Sequence, residues 1–174
     1  LLDAVRKNHF VDTAAEITLE ANPDDLNSPW LSGLLESGVN RLSIGIQSFD
    51  DDILKFLNRA HDSKAAFKSV RDSRAAGFEN ISIDLMYAIP GLAEKTWVDS
   101  IQKAIDASAD HISAYELTVE PATVFGVWSK KGKISPVADD NAARQSELLT
   151  SSLEDEGFEQ YEVSNYCKSG MESR

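Results

Sequence analysis

Hydrophobic and polar residues alternate along three short stretches of this chain: Thr18-Leu19-Glu20, Leu42-Ser43-Ile44-Gly45-Ile46-Gln47 and Ile81-Ser82-Ile83-Asp84. The apolar set is Leu19, Leu42, Ile44, Ile46, Ile81 and Ile83, continued by Leu85. The other set is Thr18, Glu20, Ser43, Gly45, Gln47, Ser82 and Asp84. Successive side chains of a strand point to opposite faces, so each stretch predicts a strand with one apolar and one small-polar or acidic face. Leu31, Leu34 and Leu35 instead recur at helical spacing and predict a helix over 28–37, ended by Gly38 as a C′ glycine. The same reading predicts helices to about residue 9 and over 50–58, 63–76, 94–107 and 139–156. It predicts strands over 16–21, 41–47, 80–88, 111–117 and 161–165, with a turn at Pro90-Gly91 and a loop over 120–137.

Strands alternating with helices of this length indicate parallel βαβ units. The apolar faces are then those that pack on helices, and the polar faces look into an enclosed interior. A closed (β/α)8 barrel fills its interior with branched aliphatics. Buried polar groups without partners are costly, so an interior of carboxylates and amides predicts a polar ligand or much water. Five strands are too few to close a barrel. An open Rossmann-type sheet satisfies the same alternation, but no GxGxxG follows any strand. No linker or low-complexity segment divides the chain, which reads as one domain or part of a larger one.

The 174 residues carry 17 Lys and Arg against 29 Asp and Glu, a formal charge of −12. Nucleic-acid binding needs clustered cations, so this balance argues against it. There is no apolar run of membrane-spanning length and no signal-peptide pattern. The single cysteine, Cys167, excludes an internal disulfide and any three-cysteine or CxxC site, and fits a reducing, cytoplasmic setting. The chain opens at Leu1 inside a predicted helix and stops at Arg174 with no terminating signal. Both ends look cut, either by trimming or disorder or by excision from a longer chain.

In parallel α/β folds the ligand sits at the carboxyl ends of the strands. The candidates there are Glu20, Gln47, Asp84 and Met86, Tyr115 and Glu116, and Ser164 and Asn165. Glu20 and Asp84 are acceptors suited to hydroxyls or an ammonium group, and Gln47 both donates and accepts. Arg59, just beyond the helix after strand 41–47, offers a planar fork for a carboxylate. Together they suit a nucleoside joined to an amino acid. Taken singly, Glu20 also reads as a turn cap and Arg59 as a surface ion pair. His61 and His111 read as structural residues, and neither has a metal-ligand partner at the right spacing. Trp30, Trp97 and Trp128 lie on separate elements and read as packing. Asp50-Asp51-Asp52 opens a helix and reads as a cap with a solvated face.

Thr18-Leu19-Glu20-Ala21-Asn22-Pro23, the run Gly38 to Phe49 and the run Ile83 to Gly91 resemble the radical S-adenosylmethionine (SAM) oxygen-independent coproporphyrinogen III oxidase family. The likeness extends over essentially the whole chain. Tyr161-Glu162-Val163-Ser164-Asn165, followed by Cys167-Lys168-Ser169-Gly170 and Glu172-Ser173-Arg174, is similar to the HemW branch, which is regarded as haem chaperones. The resemblance implies a partial, open (β/α)6 TIM-like barrel. It also implies that Glu20, Gln47, Arg59 and Asp84 bind SAM, with Met86 and Glu116 at strand ends beside it. Arg59 is assigned the methionine carboxylate, and Glu20, Gln47 and Asp84 share the ribose and amine.

Three family elements are absent from residues 1–174: the CxxxCxxC loop that ligates a [4Fe–4S] cluster, the glycine-rich segment after it, and a C-terminal histidine-asparagine-aromatic motif. Ala88-Ile89-Pro90 stands where the family usually has Gly-Leu-Pro. The expectation is therefore part of one radical SAM core domain, without its cluster-binding portion and C-terminal domain, and inactive by itself. The full-length parent would carry the cluster and SAM, and would bind haem for delivery to haem-accepting proteins. The alternatives are an oxygen-independent coproporphyrinogen III oxidase acting on a porphyrinogen, and an unrelated α/β hydrolytic or aldol enzyme using Asp84 or Glu20 as base. The last lacks a nucleophile or lysine at a strand end.

Overall fold

A computed structural model describes residues 1–174. The element order is α1 (Leu2–Asn8), β1 (Thr18–Ala21), a 3-10 turn (Pro23–Asp25), α2 (Ser28–Ser37), β2 (Arg41–Gln47), α3 (Asp51–Phe56), α4 (Ser63–Ala76) and β3 (Asn80–Tyr87). Then come α5 (Glu94–Asp106), β4 (His111–Glu116), α6 (Val124–Lys130), α7 (Asp139–Asp155), β5 (Glu159–Glu162) and β6 (Asn165–Cys167). One sheet of six strands holds them in the order β1-β2-β3-β4-β6-β5. The first four strands are mutually parallel, as βαβ connections require. β1 and β5 are both edges, so the sheet does not close.

The alternation read from the sequence decides the two faces. Leu42, Ile44, Ile46, Ile81, Ile83, Leu85 and Ile112 are buried in one apolar cluster. Helices seal that cluster with Leu31 of α2, Val70 of α4, Trp97 and Ile101 of α5, and Leu149 and Leu153 of α7. Leu19 is only partly buried because β1 is an edge strand. The opposite face carries Glu20, Ser43, Gly45, Gln47 and Asp84 and borders open space instead of aliphatic layers. No helix is long and apolar enough to cross a membrane.

Two expectations are corrected. The predicted single strand over 161–165 is a hairpin: β5 and β6 pair antiparallel, and β6 inserts between β5 and β4, antiparallel to β4. Val163 and Ser164 form its turn, and the Ser164 carbonyl accepts from Ala114 N at 2.8 Å. The sheet therefore has six strands, where five were expected.

The predicted loop over 120–137 contains α6. Its N-cap, Thr123, accepts from Gly126 N at 3.1 Å. Its aromatic face packs on α3, with the Phe125 ring stacked on Phe56 at 5.2 Å and Trp128 edge-on to Phe56 at 6.5 Å. Gly126 weakens the helical signal in the sequence, yet a Cβ there would fall 2.1 Å from Glu120 O, so nothing larger fits.

Candidate functional site

The carboxyl ends of β1 to β3 surround a cavity of about 660 Å³, lined among others by Glu20, Asn22, Trp30, Ser43, Gly45, Gln47, Arg59 and Asp84. Four of the residues singled out from the sequence thus meet in one space: Glu20, Gln47, Arg59 and Asp84. Parallel register explains the grouping, since Glu20 pairs with Ser43, and Asp84 with Ser113 across β3 and β4.

Arg59 arrives from outside the sheet. α3 closes with Asn58 in the left-handed conformation (φ 55°), and Arg59 N donates back to Leu54 O at 2.9 Å. This turn aims the side chain at the strand ends. There Nη2 donates to Asn22 Oδ1 at 2.6 Å and to the Gly45 carbonyl at 2.9 Å. Both bonds use one nitrogen, which leaves the rest of the guanidinium for a planar anion such as a carboxylate. Gly45 makes room for this arrangement. A Cβ there would lie 3.1 Å from Gln47 Nε2 and 3.4 Å from Arg59 Nη2.

Asp84 is half-buried and accepts from Ser43 Oγ at 3.0 Å. Burial pushes its carboxyl above the usual range, and the nearby charge of Glu20 pushes it further. The Ser43 and Ser113 hydroxyls and the charge of Arg41 act against the rise. Two carboxylates facing a polar cavity favour a ligand that carries hydroxyls or a positive group.

Gln47 ends β2 with φ 68°, an uncommon value for a residue with a Cβ. Ser48 N donates to Ile46 O at 2.8 Å around it, a three-residue γ-turn of the rare positive-φ form. Strained backbone of this kind is characteristic of ligand-binding positions.

Met86 and Glu116 are not brought into this cavity. Met86 lies two residues beyond Asp84 on the same face of β3, half-buried and packed partly against the core. Glu116 is exposed and pairs in register with Tyr87, on the side of β4 that carries Ile112 and Ala114. Ser164 lies in the hairpin turn at the far edge of β4.

A second cavity of about 370 Å³ adjoins the first and shares Glu20 and Ser43 with it. It is lined also by Glu16, Arg41, His111, Ser113, Tyr115 and Asn165. His111, read as a structural residue, is buried with both ring nitrogens partnered: Nδ1 lies 2.8 Å from Ser82 Oγ and Nε2 lies 2.8 Å from Tyr161 OH. Burial, with the charge of Arg41, pushes its imidazole down to about 4, against the opposing charge of Glu16.

His61 is likewise buried, with Nε2 3.0 Å from Ile46 O. Asp50 caps α3, accepting from Asp52 N and Ile53 N, as its place in the acidic triplet predicts.

Several cavity residues went unread in the sequence. Trp30, taken for packing, is 39% exposed and lines the first cavity, while Trp97 is a core residue. Asn22 and Asn27 flank the 3-10 turn after β1, and Asn27 caps α2 by accepting from Trp30 N at 3.1 Å. The available signal was position: these residues directly follow a strand whose carboxyl end was already a candidate.

Residues 2–104 match the Radical SAM superfamily. Heme chaperone HemW of Bacillus subtilis is 45% identical over 160 residues, which are 92% of this chain and 42% of that protein. Radical S-adenosyl methionine domain-containing protein 1, mitochondrial, of Mus musculus is 36% identical over 98% of this chain and 38% of its own length. The chain spans less than half the length of these curated relatives. Among solved structures, coproporphyrinogen III oxidase (HemN) from Escherichia coli superposes with a TM-score of 0.85 over 97% of this chain and 39% of its own, at 20% identity. That likeness concerns the fold: an open, incomplete (β/α) barrel.

Proposed function

The chain belongs to the radical SAM superfamily, and we propose that residues 1–174 are the SAM-binding core of a HemW-like protein that binds haem and delivers it to haem-accepting proteins. The observation that carries the SAM assignment is the convergence of Glu20, Gln47, Arg59 and Asp84 on one cavity beyond β1 to β3. A zwitterionic amino acid with a ribose and a sulfonium needs acceptors, a mixed donor–acceptor and a guanidinium, and this set supplies all three.

Arg59 would hold the methionine carboxylate with the nitrogens not committed to Asn22 and Gly45. Glu20 and Asp84 would take the amine and ribose hydroxyls, with Gln47 bridging them. Met86, two residues beyond Asp84, and Glu116 would lie at the margin of the ligand, beside the strand ends. The reductive chemistry is supplied by a [4Fe–4S] cluster when one is bound, and the protein's part is to orient SAM against it. Residues 1–174 do not fit that cluster. Their one cysteine, Cys167, is buried on β6, and burial raises its thiol above the usual range. Cluster ligation accordingly falls to residues outside 1–174 of a longer protein, of which this chain is part of one radical SAM core domain. The haem assignment is supported by the 35–45% identity of this chain to relatives known as heme chaperone HemW. A cytoplasmic setting is part of the proposal, supported by the lone unpaired cysteine.

The test uses the full-length protein, reconstituted anaerobically with iron and sulfide. The expected results are the absorbance of a [4Fe–4S] cluster, saturable SAM binding and stoichiometric haem binding, with coproporphyrinogen III left unchanged under reductant. Multiple-turnover conversion to protoporphyrinogen IX would replace the chaperone reading with the oxidase.

A further inference from the structure

Two of the side chains assigned to SAM depend on backbone settings that need support from elsewhere. Gln47 occupies a positive-φ γ-turn closed by the Ile46 carbonyl. A non-glycine residue in such a turn is strained and persists only where its surroundings over-determine it. Arg59 lies on a short link between α3 and α4 and crosses the strand ends to reach Asn22 and Gly45.

One side chain meets both settings. His61 is two residues beyond Arg59, and its Nε2 lies 3.0 Å from Ile46 O, the same carbonyl that closes the turn at Gln47. A carbonyl only accepts, so Nε2 carries the hydrogen, and in the neutral ring Nδ1 presents a lone pair. The His61 side chain is 0% exposed, and Nδ1 has no hydrogen-bond partner. Nδ1 is 3.7 Å from Asp24 Oδ1, in the 3-10 turn that begins one residue after Asn22. Burial depresses the imidazole below its ordinary range, which keeps the ring neutral and the tautomer fixed. A buried imidazole with one nitrogen unpaired is a poor space-filler, because an aliphatic side chain would pack there without that penalty. Its hydrogen bond is the feature an aliphatic residue cannot reproduce. His61 does not line the first cavity, so it acts on that cavity through its neighbours.

We propose that His61 is a positioning residue for the SAM cavity: its Nε2–H bond to the Ile46 carbonyl holds the strained turn that presents Gln47 and anchors the link that presents Arg59. This rests on the assignment of Gln47 and Arg59 to SAM.

The experiment measures SAM dissociation constants and melting temperatures of the reconstituted full-length protein carrying His61→Leu, His61→Gln or His61→Asn, with Gln47→Ala and Arg59→Ala as references. Glutamine places an amide N–H near the Nε2 position, whereas asparagine places it near Nδ1. His61→Leu and His61→Asn should each weaken SAM binding about tenfold, and His61→Gln should stay within about threefold of the parent, since one lost positioning bond is worth roughly a decade. Adding His61→Leu to Gln47→Ala should weaken binding by less than the roughly tenfold that His61→Leu costs the parent, because the part of its effect exerted through Gln47 is already gone and only the part through Arg59 remains. A lowered melting temperature with unchanged SAM affinity in His61→Leu would overturn the proposal, as would equal affinities for the Gln and Asn variants. The Gln-against-Asn comparison decides the matter if the Leu variant does not fold. If Gln47→Ala and Arg59→Ala themselves leave SAM binding intact, it is the assignment of the cavity that fails.

Discussion

Arg59 Nη2 donates to the backbone carbonyl of Gly45, 2.9 Å away, across the carboxyl ends of the first two strands. The bond ties a residue from the α3–α4 link to the middle of a cavity-facing strand. It depends on the absence of a side chain at 45, because Gly45 sits under both the Arg59 guanidinium and the Gln47 amide.

Gly45→Ala is therefore expected to act on binding more than on folding. The added methyl would stand 3.1 Å from Gln47 Nε2 and 3.4 Å from Arg59 Nη2, contacts that flexible side-chain ends relieve by moving. Both assigned SAM ligands would shift by tenths of an ångström. SAM affinity of the full-length protein should fall about tenfold or more. The melting temperature should change little. Isothermal titration and a thermal melt of the same preparation check the pair.

Asp84 gives a prediction in which binding and stability move in opposite directions. Its carboxyl holds its proton above the usual carboxylate range, mainly because of burial. The folded form then binds that proton more tightly than the unfolded chain, so this group's contribution to stability falls as pH rises through that window. Once ionised, Asp84 is a strain on the fold, and Asp84→Asn should leave the melting temperature unchanged or higher. The same substitution removes a charge that attracts a cationic ligand, so SAM affinity should drop roughly ten- to hundredfold. In the parent, SAM affinity should decline on acidification from a higher pH than an ordinary aspartate would give, and Asp84→Asn should flatten that decline.

Gln145 governs the end of β3. Its side-chain oxygen accepts from Ala88 N at 2.8 Å, and its carbonyl accepts from Trp97 Nε1 at 2.8 Å. Ala88 is buried with φ 54°, so its N–H has no water to turn to. Gln145→Leu fills the same space but orphans that donor, a cost of about 1–3 kcal/mol. For a chain of this size the melting temperature should fall by roughly 2–12 °C. A thermal melt showing no loss would mean that the backbone at Ala88 finds another partner.

The parallel part of the fold was legible because its signals are local and repeated. Leu42, Ile44 and Ile46 alternate with Ser43, Gly45 and Gln47, and the helices before β2 and β3 stop at Gly38 and Gly77. The same alternation located Glu20, Gln47 and Asp84, since side chains on one face of neighbouring parallel strands must converge, whereas Arg59 was found by its guanidinium and its place just beyond the helix after β2. The hairpin was not legible. All four residues of β5 are exposed, so no apolar period marks it, and its turn at Val163-Ser164 lacks the glycine or asparagine that signals a two-residue connection. α6 was hidden by Gly126, whose presence answers to the close approach of Glu120 rather than to helix propensity. Glu116 falls outside the cavity lining, on the side of β4 that carries Ile112 and Ala114. Strand period gives that side directly, since 112, 114 and 116 share one face of β4. Trp30 belongs to neither pattern, because its exposure depends on where the cavity opens.

His111 supplies the acid limit of the fold. Its imidazole is pushed down to about 4 from an ordinary 6.5, chiefly by burial. The unfolded chain binds this proton more readily than the folded one between those two values, so stability is lost as pH falls from 6.5 toward 4. The full shift corresponds to on the order of 3 kcal/mol. His61, also depressed by burial, adds a loss of the same sign below the same ordinary value. The surface carboxylates lowered by hydrogen bonds and ion pairs, the exposed Asp51 and Glu94 and the half-buried Asp72, act only at lower pH and cannot account for a decline that begins near 6. His111→Gln keeps a side chain that can both donate and accept near Ser82 and Tyr161, but has no proton to gain. It should therefore cost some stability at pH 7 and reduce the dependence on pH between 6.5 and 4. Urea denaturation midpoints of parent and variant at several pH values across that interval provide the measurement. Parallel curves for the two proteins would show that the acid sensitivity arises elsewhere.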